Sequence, residues 1–204
     1  MNNFQLPKGA TVKNLDGIHE CFYVRELKNN YKFIANVSFE NTDEMIRDFC
    51  RELEEPCFFI LEVPTNEKDE IALREAGEPG RHGDLYYLDG ISRARMFEIF
   101  DKYGELLLND GMVRFGFASH ASRDEIYIDK YNIVIIYAID RARYEKFFLE
   151  RGIPQEEKIK TVYQNFTKDV PGESRRIDID GKSIYDIVDD LKPEGLHFAE
   201  RVEQ

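Results

Sequence analysis

The chain has 204 residues, of which 42% are hydrophobic and 33% charged, and its formal net charge is −12. That length supplies one domain with a core that needs no disulfide or metal staple, and 15 Phe and 11 Tyr argue against disorder. The charge excludes nucleic acid as a direct ligand, since phosphate contacts need a basic stripe, and the longest apolar run, seven residues at 133–139, is too short to span a membrane.

In chain order, the segments 20–27 and 31–39 read as strands joined by a turn at Asn29–Asn30. In the second, Tyr31, Phe33, Ala35, Val37 and Phe39 alternate with Lys32, Ile34, Asn36 and Ser38, giving one apolar face. Asn41 and Glu44 form a capping-box pattern for a helix whose stripe is Met45, Ile46, Phe49, Cys50 and Leu53. Pro56 ends it. The run 57–63 predicts a buried strand closed by Pro64, and 65–76 an acidic helix. GEPGRHG at 77–83 reads as a surface loop, because a phosphate cradle would need a following helix and a Walker A loop a Gly-Lys-Ser/Thr end.

A short strand is predicted at 84–88. Ser92 then caps a helix with Met96, Phe97, Ile99, Phe100, Tyr103, Leu106 and Leu107 inward, stopped by Asn109–Asp110–Gly111. Residues 112–118 and 125–129 alternate as strands. The run 133–139 is apolar throughout, as expected of a central strand covered on both faces. Asp140 caps a helix with Tyr144, Phe147 and Phe148, ended by Gly152 and Pro154. Beyond it, 158–166 fits either helix or strand, 175–179 reads as a strand, and 183–191 as a short helix. The expected class is α+β, a mainly antiparallel sheet with helices packed on it, in a single domain spanning 1–204.

The charge is uneven. Residues 40–80 hold thirteen acids against four bases, a net of −9. Concentrated acids raise the on-rate for a basic partner. The contact candidates are therefore Glu54, Glu55, Glu67, Asp69, Glu70, Glu75 and Glu78, with Tyr86 and Tyr87 as aromatic anchors. The alternative is a small-molecule, hydrolase-like enzyme centred on His120, Asp124 and Glu125, where an imidazole near carboxylates suits acid–base work. No nucleophile elbow surrounds Ser119 or Ser122. No C-x-x-C or H-E-x-x-H motif occurs, so neither a metal nor another cofactor is expected. Three cysteines and a start without a basic-then-apolar signal point to a reducing cytoplasm.

CFFILEVP at 57–64, GMVRFGFASH at 111–120, DEIYIDKYNIVIIY at 124–137 and RRIDIDGK at 175–182 resemble segments of the immunity proteins of bacterial polymorphic toxin systems. The resemblance implies a non-catalytic, single-domain cytoplasmic protein that binds and blocks a toxin domain, often a basic nuclease. It implies no catalytic residues and assigns no contact residues.

Overall fold

The structure is a computed structural model describing residues 4–77 and 81–203. Its strands are β1 (Ala10–Thr11), β2 (Cys21–Glu26), β3 (Tyr31–Asn36), β4 (Cys57–Pro64), β5 (His82–Ile91), β6 (Arg114–Ser119), β7 (Glu125–Asp129), β8 (Ile133–Ala138), β9 (Glu173–Ser174) and β10 (His197–Glu203). The helices are α1 (Phe39–Arg51), α2 (Glu67–Glu75), α3 (Arg93–Asn109), α4 (Arg141–Leu149) and α5 (Ile184–Leu191). Eight strands form one antiparallel sheet in the order β10-β5-β4-β6-β7-β8-β3-β2, and β1 pairs with β9 separately. The class is α+β, as the alternating strands and capped helices indicate. No helix among the described residues is long and apolar enough to cross a membrane.

Helices α1, α3, α4 and α5 pack on one face of the sheet. Alternation sends Phe22, Phe33, Phe59, Phe115, Phe117, Ile126 and Ile136 to that face, all buried. Phe148 of α4 stacks on Phe22 at 4.7 Å between ring centroids, and Phe100 of α3 meets Phe117 edge-on at 5.9 Å. Phe49 of α1 reaches Tyr144 of α4 at 5.6 Å. Each such ring, fully buried, stabilises the fold by about 1.5–3 kcal/mol. Ser92 Oγ accepts the Arg95 N–H and Asp140 Oδ1 the Arg143 N–H, so both capped starts lie where the sequence puts them.

Helix α1 begins a turn before the Asn41–Glu44 pattern, behind Ser38. Asn41 Nδ2 donates instead to Glu20 Oε1, which also accepts the Ser38 N–H, so the asparagine ties α1 to the strand side. The predicted strand at 84–88 is part of the longer β5. The strand expected at 175–179 does not form. Its only pairing is an isolated antiparallel bridge from Ile179 to Lys182, and the Ile177 N–H is given to Asp110 Oδ2 rather than to a ladder. At the opposite edge, β10 carries no apolar alternation. It is an edge strand held by its pairing with β5 and by Arg201 Nε on Asp84 Oδ1 at 2.6 Å.

The second face is covered at one end. There, Phe4, Ile18, Tyr131 and Val162 build a small core of their own. Strand β8 is central, between β7 and β3, yet its cover is one-sided. Val134, Ile136 and Ala138 are buried, whereas Ile135 and Tyr137 stay half-buried, which corrects the expectation of a strand covered on both faces.

Candidate functional site

The uncovered part of the second face is a broad trough of about 560 Å³. Its shape follows from register. On β6 the outward positions are Arg114, Gly116 and Ala118. Gly116 lies between Ile60 of β4 and Tyr127 of β7, and Ala118 between Phe58 and Glu125. Two small residues in a row of large ones lower the floor along β6. Tyr87 and Leu85 of β5 flank one side, and Ile135 and Tyr137 of β8 the other. A Cβ on Gly116 would sit 2.4 Å from the Ile126 carbonyl oxygen and 3.1 Å from the Tyr127 ring, so the floor has no room for a side chain. An aromatic ring beside a strand glycine restores packing that the glycine lacks.

Charge lines both ends of the trough. At one end His120 stacks on Phe58 at 4.5 Å, and its Nε2 lies 3.4 Å from Asp89 Oδ1. Asp89 also faces His197, at 3.9 Å. Glu125 is half-buried beside them. Burial pushes its carboxyl above the usual range, and Lys32 only partly offsets that. Lys32 lies over the Tyr137 ring at 5.2 Å.

At the other end Arg114 pairs with Glu62, and its Nε donates to Asp129 Oδ1 at 2.6 Å. The Tyr127 hydroxyl donates to Glu62 Oε2 at 2.7 Å. Burial opposes the charge on Arg114, but Asp129 and Glu62 outweigh it and hold the guanidinium protonated. The trough thus presents aromatic and aliphatic surface between acidic groups, the chemistry that receives a Lys or Arg stem with its charged head.

The candidates from sequence fall into separate places. His120 and Glu125 both line the trough. The Asp124 carboxylate accepts from Arg143 Nη1 of α4 at 3.3 Å, and burial pushes its pKa above the ordinary carboxylate range. Ser119 Oγ accepts the Ala121 and Ser122 N–H groups, so it closes the turn. Among the acids, Glu54 and Glu55 precede β4, and Glu67, Asp69, Glu70 and Glu75 follow it on α2. The eight residues of β4 set the two groups about 26 Å apart, at about 3.3 Å per residue.

Several of those acids are already engaged. Glu55 Oε1 accepts the Arg93 N–H at 2.7 Å. Asp69 pairs with Arg201, and Glu70 with Arg74 and His82. Glu78 lies outside the described residues. Tyr87 faces the trough, whereas Tyr86 points to the opposite side and meets Phe198 edge-on at 5.8 Å. Phe58, Ile60, Leu85, Tyr127, Ile135 and Tyr137 were not among the sequence candidates. The available signal was that 57–63 and 133–139 are apolar at almost every position, which a strand covered on one face does not need.

Glu125 supports a pH prediction. Because its folded-state pKa is raised, the native state retains a proton that the unfolded chain releases. Stability therefore falls as pH rises from the ordinary glutamate value to the raised folded-state one. Glu125→Gln is expected to raise Tm at pH 7 and to leave it unchanged below the glutamate range, as read by calorimetry at both pH values.

No protein-family model, no curated protein and no solved structure matches the chain.

Proposed function

We propose that this is a non-catalytic binding protein whose open sheet face docks a basic protein partner. We further propose, from the resemblance of its strands to immunity proteins, that the partner is a cognate bacterial toxin domain. The observation that carries the reading is the trough over β6, where half-buried Phe58, Tyr87, Tyr127, Ile135 and Tyr137 stand between Asp89, Glu125 and Glu62. Exposed aromatic surface of this kind supplies anchors in which binding energy concentrates. The net charge of −12 draws a basic partner in and speeds encounter. Acids outside the trough, such as Glu54, Glu67 and Glu75, add to that long-range field whether or not they touch the partner.

In the docked state a basic side chain would lie along Phe58 and Tyr127 with its charge at Glu125. That contact favours the ionised carboxylate, so affinity falls as acid protonates Glu125. The three cysteines are buried and free, and the reading places the protein in a reducing cytoplasm.

The test is capture at low salt from a lysate of its own source, followed by expression of the captured protein in a bacterial host. The reading expects a basic protein released by raised salt, growth arrest when that protein is expressed alone, and recovery on co-expression with this chain. A captured protein that salt does not release overturns the basic-partner reading. A partner that does not arrest growth overturns the toxin reading.

A further inference from the structure

Away from the trough, at the β2 edge of the sheet, three metal-ligating side chains meet. His19 Nε2 lies 2.7 Å from Glu156 Oε1, and the His19, Cys21 and Glu156 ligand atoms all lie within 4.8 Å of one another. Among the described residues this is the one group of three His, Cys, Asp or Glu side chains so placed. We infer that His19, Cys21 and Glu156 form a binding site for a zinc-class divalent cation, which clips the segment after α4 to the edge strand β2.

The backbone holds the three residues in place without an ion. The chain turns at Gly152, in the left-handed region with φ of 72°, and then runs beside β2. The Phe22 N–H donates to the Pro154 carbonyl at 2.9 Å, and the Glu156 N–H to the Phe22 carbonyl at 2.8 Å. Those two bonds set Glu156 next to Cys21. On the other side, Asn36, paired opposite Cys21 in β3 and buried, donates to the carbonyls of His19 and Lys160. Glu20 is turned away to Ser38 and Asn41, which leaves its two neighbours directed to the common point.

The donor set selects the ion. An imidazole nitrogen, a thiolate and a carboxylate oxygen suit zinc, and the sulfur disfavours magnesium and calcium. In a tetrahedral zinc site the ligand atoms stand about 3.5 Å apart, given bond lengths of about 2.0–2.3 Å. The present spacing, 2.7 Å between His19 and Glu156 and within 4.8 Å for all three, needs an opening of the His19–Glu156 contact. Cys21 is 1% exposed, while the His19 and Glu156 side chains are 53% and 37% exposed and free to adjust. Three protein ligands leave the fourth position for water.

On binding, the Cys21 S–H bond breaks, its proton passes to solvent and a zinc–sulfur bond forms. The His19–Glu156 hydrogen bond gives way to a bond from each to the ion, and no electrons are transferred. The wide separation of the ligands, 137 positions from His19 to Glu156, hides this site from any search for adjacent ligand pairs.

The experiment is titration of the reduced, full-length protein with Co2+, followed by Zn2+. The inference expects one cobalt per chain, a sulfur-to-cobalt charge-transfer absorption, and its loss as zinc displaces cobalt. It expects zinc to raise Tm. Cys21→Ser abolishes the absorption. His19→Ala and Glu156→Gln change exposed side chains and keep the fold, and each weakens zinc binding at least tenfold. A wild-type protein without the sulfur absorption, an absorption that survives Cys21→Ser, or zinc affinity unchanged in both surface variants overturns it.

Discussion

Ile135→Lys is expected to weaken partner binding at least 100-fold, about 2.7 kcal/mol, while the protein stays folded. Ile135 stands half-buried in the middle of β8, with Tyr127 and Ile34 as its cross-strand neighbours. The substitution removes aliphatic contact area from the centre of the trough and puts a positive charge where a basic partner brings its own. Truncation at the centre of an interface costs the most, and like charges across it add to that cost. Folding is affected far less, because the long stem can lie along Tyr127 with the ammonium in water. Leu149→Lys, at a site 55% exposed on α4, is the control and is expected to leave affinity unchanged. Titration calorimetry with the captured partner reads both. Equal affinities for the two variants would place the interface elsewhere.

Arg114→Ala is expected to cost about 3–5 kcal/mol of stability, the usual loss when one member of a buried ion pair is removed. Tm falls by about 10 °C for a chain of this size. Glu62 is 6% exposed and accepts from Arg114 and from the Tyr127 hydroxyl. The substitution removes the cation on β6 that bridges Glu62 of β4 and Asp129 of β7. Glu62→Gln combined with Arg114→Met is expected to recover most of the loss, since a neutral amide still accepts the Tyr127 hydroxyl. Denaturant unfolding of the single and double variants separates this from a packing defect, which the double variant would not recover.

How legible each part was depended on whether its physics is local. Strand β3 was readable because Phe33, Ala35 and Val37 alternate with polar residues, and that alternation follows from one covered face. The starts of α3 and α4 were readable because Ser92 and Asp140 cap their own helices within three residues. The start of α1 was not, because Asn41 is spent on Glu20, twenty-one positions away. Strand β10 was missed because an edge strand that carries Glu200, Arg201 and Glu203 shows no apolar period.

The trough has the same explanation at larger scale. The runs 57–63 and 133–139 do announce two apolar faces, but nothing in a run says whether a helix covers the second one. With α1, α3, α4 and α5 on one side, the uncovered apolar positions became the face itself. The acidic segment 40–80 was real as composition, yet the extended β4 divides its acids between two ends of the sheet, and Arg93, Arg201, Arg74 and His82 occupy several of them.

The most direct measurement is site-specific photocrosslinking in the complex. A benzophenone side chain replaces Tyr137 in the trough, or Leu149 on the helix side, and each protein is irradiated with the captured partner. The account predicts a crosslinked product from position 137 and none from position 149. Crosslinking from position 149 alone would place the partner on the helix layer and contradict the assignment of the open sheet face.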